Sequence, residues 1–127
     1  MEQVSNRIIQ VNMSAPIDME FIRLISDGDV EFELELLETF IEDTKVHIDA
    51  AKVAIAASDY MTVQREAHHM KGASGNVGAH TMQELASAIE QQAKQESLQD
   101  VAPKLADIET NLAEVEAFTR NYAQQQV

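Results

Sequence analysis

The chain has 127 residues, 22 of them acidic and 9 basic, for a net charge of −13. It is sized for one domain around a single core. Nucleic acid and anionic membrane surfaces are excluded as partners because both call for clustered Lys and Arg, and the lack of cysteine excludes disulfide and thiol chemistry.

The N-terminal MEQVSNRIIQ lacks the basic start and apolar centre of a secretory signal, and no apolar run reaches membrane-spanning length. A cytoplasmic protein is the expectation. Residues 1–17 show no sustained period and read as a flexible arm. Asp18 can cap a short helix through about Ser26, with Phe21, Ile22 and Ile25 as its apolar residues. Asp27-Gly28-Asp29 is a turn and a new cap. A long helix should then run to about Ala57 with the stripe Leu34, Leu37, Ile41, Thr44, Ile48, Ala51, Ile55 at steps of three and four. Its first part belongs to the most acidic stretch, Asp27 to Asp43, with eight acids and no Lys or Arg. That stretch reads as a solvated face, with selection of a basic partner as the sharper alternative.

Ser58-Asp59 breaks and recaps the chain. A third helix carries Tyr60, Val63, Ala67, Met70, Ser74 and Val77, and Gly78 ends it. A fourth runs from about His80 to Gln95 on Met82, Leu85, Ala86, Ile89 and Ala93. After the loop ESLQD, a last helix begins near Asp100, tolerates Pro103 in its first turn and carries Leu105, Ile108, Leu112, Val115 and Phe118 or Thr119. Residues 123–127 read as a frayed end. The expected fold is all-α: an antiparallel up-down four-helix bundle over 18–122 with a short extra N-terminal helix.

Three of the four glycines lie between Gly72 and Gly78, just after the adjacent pair His68-His69. At about 100° per residue, both histidines sit roughly 130° from the centre of the third helix's apolar stripe, one on each flank. Gly72 and Gly75 are at i+4 and i+7 from His68, in line with it, and Lys71 stands beside it at i+3. A glycine inside a helix costs about 1 kcal/mol relative to alanine, so two on one face need a reason. Helix packing is one; clearance for a bulky partner reaching His68 is the other and is preferred. An ammonium one turn away would stabilise a dianion added there. His68 is therefore chosen over His69.

The stretch AHHMKGASGNVGA resembles the signature of histidine-containing phosphotransfer (HPt) domains of two-component phosphorelays: a histidine, two residues, Lys-Gly, a small pair and a Gly-Ala close. The matching residues are His68, Lys71, Gly72, Ala73-Ser74 and Gly78-Ala79. The resemblance implies that His68 is phosphorylated and that Lys71 neighbours the phosphate. It implies that Gly72 gives clearance, and that Glu90 on the next helix bonds the imidazole. Arg65 could sit near the phosphate or merely pair with acids. A neutral imidazole nitrogen would take a phosphoryl group from a receiver-domain aspartate or a histidine kinase and pass it to another receiver aspartate. No cofactor is expected here; Mg would sit on the partner receiver domain. The implied partners are response-regulator receiver domains and a hybrid sensor histidine kinase, and the protein should be a monomer. Met1 and the loose ends favour a free-standing shuttle.

The alternative is an acidic helical module that binds receivers or kinases without being phosphorylated. A di-iron helical enzyme fails, because Glu66-x-x-His69 has no mate and lies off the core stripe. His69 reads as a flank residue, His47 as structural and His80 as serving the start of the fourth helix. No metal site is expected, because no two histidines stand at i,i+3 or i,i+4 and cysteine is absent. Met61 projects on the His68 side, where it could join an apolar docking patch.

Overall fold

A computed structural model describes residues 15–126, and the first three of its helices begin at aspartates that cap them. In α1 (Met19–Ser26) the Asp18 carboxylate accepts the Phe21 N–H at 3.3 Å. In α2 (Val30–Ala56) Asp29 accepts from Phe32 at 3.1 Å, and in α3 (Tyr60–Asn76) Asp59 accepts from Thr62 at 3.1 Å. Each satisfies one of the donors that a helix start leaves open. α4 (His80–Lys94) and α5 (Val101–Gln125) begin without a side-chain cap. The α3–α4 turn needs its glycine: Gly78 has φ +70°, and an added Cβ would come within 3.0 Å of the Asp18 side chain. The Asp18 N–H donates to the Gly78 carbonyl at 3.0 Å, tying the start of α1 to this turn.

Short connections force neighbouring helices to run antiparallel. α2 packs on α3, α3 on α4, α4 on α5 and α5 back on α2, while α1 lies against α2. This is the expected up-down bundle. The core lies along the axis: Leu37, Ile41 and Ile48 from α2, Val63, Ala67 and Met70 from α3, Met82, Ala86 and Ile89 from α4, and Leu105, Ile108 and Leu112 from α5. No strand occurs among the described residues, and no helix there is long and apolar enough to cross a membrane.

Five details differ from the sequence reading. Residues 1–14 lie outside the described part, but Ile17, assigned above to the arm, is buried in the core. α1 buries only Ile22 and Ser26 of its own residues, while Phe21 and Ile25 face solvent. A helix of eight residues meets the bundle along a single i,i+4 line, which leaves its other apolar side chains outside. In α2, Phe40 and Ala54 are buried whereas Leu34 and Ile55 are only half-buried, a drift expected when a stripe is extrapolated over 27 residues. Glu33, taken as part of a solvated face, is 1% exposed. Its carboxylate accepts from the Ser26 hydroxyl at 2.5 Å and from the Tyr122 hydroxyl at 2.6 Å. Those hydroxyls replace the water that a buried carboxylate would otherwise lack. The accepting carboxylate also pushes the Tyr122 phenol above its ordinary value, and burial adds to this. At the other end, α5 continues through Gln125, past the expected fraying point.

Candidate functional site

The buried line Val63, Ala67, Met70, Ser74 orients α3 and thereby fixes its two flanks. His68 turns toward α4 and His69 toward α2, so adjacent residues meet different helices.

On the α4 side, Glu90 is held with its side chain 4% exposed, while the His68 side chain above it is 70% exposed. His68 Nδ1 lies 2.8 Å from Glu90 Oε2. A carboxylate can only accept, so that ring nitrogen carries the proton and donates it. The second nitrogen, Nε2, makes no hydrogen bond among the described residues, and the side chain that carries it is 70% exposed. Lys71 Nζ lies 2.7 Å from the other carboxylate oxygen, and Lys94 Nζ 3.9 Å from Oε2. Burial pushes the Glu90 carboxyl up, but the Lys71 ammonium and the His68 ring outweigh it and hold it below the ordinary carboxylate value. Glu90 is thus an anion at neutral pH, and it orients one ring and one ammonium together.

The surface around His68 is a shallow depression lined by Met61, Gln64, Arg65, His68, Glu90 and Lys94. Of the expected neighbours, Glu90, Arg65 and Met61 line this depression with His68, while Lys71 contacts Glu90. Lys94 escaped the sequence reading; its i,i+4 spacing from Glu90 was the available signal. The two glycines part company. A Cβ on Gly72 would meet nothing within 4 Å, so no internal packing requires a glycine there. A Cβ on Gly75 would come within 2.8 Å of Gln83 Nε2, so its small size makes room for the end of that α4 side chain. Packing within the chain thus gives no reason for a glycine at Gly72, whereas Gly75 borders the Gln83 side chain.

The α2 side is built differently. His69 Nε2 lies 2.7 Å from Asp43 Oδ2, and its ring stacks on His47 with centroids 3.7 Å apart. His47 Nδ1 lies 3.0 Å from Glu66 Oε1. His80, at the first turn of α4, has Nε2 3.2 Å from Asp18 Oδ2; that bond chiefly holds the Asp18 carboxyl below its ordinary value. The His47–His69 pair forms across two helices, so no i,i+3 or i,i+4 spacing along the chain marks it.

Comparison with known proteins identifies the family and the fold. The family model described as Hpt domain matches residues 35–118. The phosphorelay intermediate protein rdeA of Dictyostelium discoideum is 24% identical over 98 residues, which is 77% of this chain and 39% of that protein. The chain thus spans about two fifths of the length of that relative. Histidine-containing phosphotransfer protein B of Pseudomonas aeruginosa PAO1 superposes with a TM-score of 0.81 at 22% identity, covering 88% of this chain and 97% of that one. The HPT domain of a hybrid histidine kinase from Shewanella gives 0.71 at 20% identity, covering 87% and 96%.

Proposed function

The chain belongs to the Hpt domain family, and from that premise we propose that it is a phosphorelay intermediate carrying its phosphoryl group on His68 Nε2. One observation carries the reading: an imidazole 70% exposed, with its other nitrogen fixed 2.8 Å from a buried carboxylate. The Nε2 lone pair attacks the phosphorus of a receiver-domain aspartyl phosphate. The N–P bond forms as the P–O bond breaks, and the aspartate carboxylate leaves with the bonding pair. Glu90 keeps the proton on Nδ1 and offsets the positive charge the ring acquires. Phosphoryl transfer passes through a loose transition state, so catalysis is positioning and charge neutralisation. Lys71, Lys94 and Arg65 supply part of the positive charge near the transferred group. The partner supplies the metal and the remaining groups, so the chain acts as phosphoacceptor and donor rather than as an independent enzyme.

The donors and acceptors are receiver domains of response regulators and of a hybrid sensor kinase. The chain works as a cytoplasmic monomer, since successive partners must reach the same open face. The test is transfer of labelled phosphate from a phosphorylated receiver to the wild type, His68→Gln and His69→Gln. Label on the wild type and His69→Gln alone is the expected result. Tight receiver binding with no label on any of the three would instead indicate an acidic docking module.

A further inference from the structure

We propose that Asp43, His47 and His69 form a second site, between α2 and α3, that binds a transition dication of the Zn2+ class. One donor atom from each of the three lies within 4.8 Å of the other two. His47 Nε2 is 3.4 Å from Asp43 Oδ1, and His69 Nε2 is 2.7 Å from Asp43 Oδ2. A tetrahedral ion with bonds near 2.0–2.1 Å needs donors about 3.3 Å apart, so the two rings and the Asp43 carboxylate would turn to close around it.

The hydrogen bonding of the cluster supplies a second, independent observation. Glu66 accepts the His47 Nδ1–H at 3.0 Å with its own side chain 12% exposed, the placement by which an outer carboxylate orients a metal-binding imidazole. With that proton on Nδ1, Nε2 is the ring nitrogen turned to Asp43, 3.4 Å from a carboxylate oxygen. His69 and Asp43 are half-exposed, so an ion can enter from solvent and water can complete its shell. Two nitrogen donors select a borderline transition ion over Mg2+, which prefers an all-oxygen shell. The inference is independent of the phosphorelay reading.

The probe is Zn2+ alone, titrated into tag-free protein by calorimetry, with Mg2+ as the hard-cation comparison. One Zn2+ per chain and no Mg2+ uptake are expected. His69→Ala, an exposed position that should leave the fold intact by circular dichroism, should weaken binding at least tenfold, and Glu66→Ala about tenfold. His80→Ala should leave affinity unchanged. Imidazole nitrogen NMR of the wild type should show His47 and His69 perturbed by Zn2+, with His80 unmoved. No saturable one-to-one uptake, full affinity retained in His69→Ala, or loss of affinity in His68→Ala instead would each overturn the site.

Discussion

His68 and His69 are chain neighbours on one helix, share solvent access and each contact a carboxylate, yet they occupy unlike chemical settings. Above His68 the helix surface is bare at Gly72, and the carboxylate below it is buried and shared with Lys71. His69 is stacked on a second imidazole, and its Nε2 is engaged by a half-exposed aspartate. Roughly 100° of helical rotation assigns one histidine to α4 and the other to α2. The helix that faces a histidine therefore decides which nitrogen stays free, and local sequence does not.

The largest expected break in this comparison is loss of the imidazole itself. His68→Gln should reduce phosphoryl acceptance by at least about a thousandfold, since the imidazole is the group that takes the phosphoryl, whereas His69→Gln should stay within about threefold. Single-turnover labelling measures both. Next, Glu90→Ala should slow transfer by about ten- to a hundredfold at unchanged receiver affinity, because the ring loses the group that selects its tautomer. Rapid-quench kinetics separates that rate from binding.

The glycines sharpen the contrast further. Gly72→Leu should lower receiver affinity and transfer about tenfold while leaving the fold as stable as before or slightly more so, a leucine being the better helix former. Gly75→Leu should gain less stability than Gly72→Leu, because the end of the Gln83 side chain must move aside. Urea unfolding distinguishes the two.

The smallest effect is on acid stability. Glu90 is held below its ordinary value in the folded chain, so its contribution is complete above the unfolded value of about 4.3 and is lost as pH falls through the folded value. Below about pH 4, wild type should therefore lose stability more steeply than Glu90→Gln. Urea midpoints taken across that range read the difference.

Much of the scaffold was legible because its punctuation is chemical: Asp18, Asp29 and Asp59 cap where the periodic runs begin, and Gly78 takes the left-handed turn. The preference for His68 could be reached from the register of Gly72 with Lys71, but Glu90 came only through the family resemblance, since a contact between helices leaves no spacing in the chain. Glu33 illustrates the same limit. Within a run of eight acids it looks like its neighbours, and its distinction rests on Tyr122, 89 residues further on. Phe21 and Ile25 show the converse, where apolar character on a short helix did not ensure a partner. The His47–His69 cluster is likewise a product of two helices meeting.

The arrangement of charges around Glu90 also bears on how long a transferred group would persist. A phosphorylated imidazole on this open face would stand in bulk water, with no wall to keep hydrolysis away. The nearest carboxylate able to draw a proton from an attacking water is Glu90, and one of its oxygens is taken by the imidazole and the other by Lys71. Held below its ordinary value, it is also a weak base. The signal would then keep its memory through the lack of a catalyst for its erasure, and its lifetime would be set by the next partner's arrival.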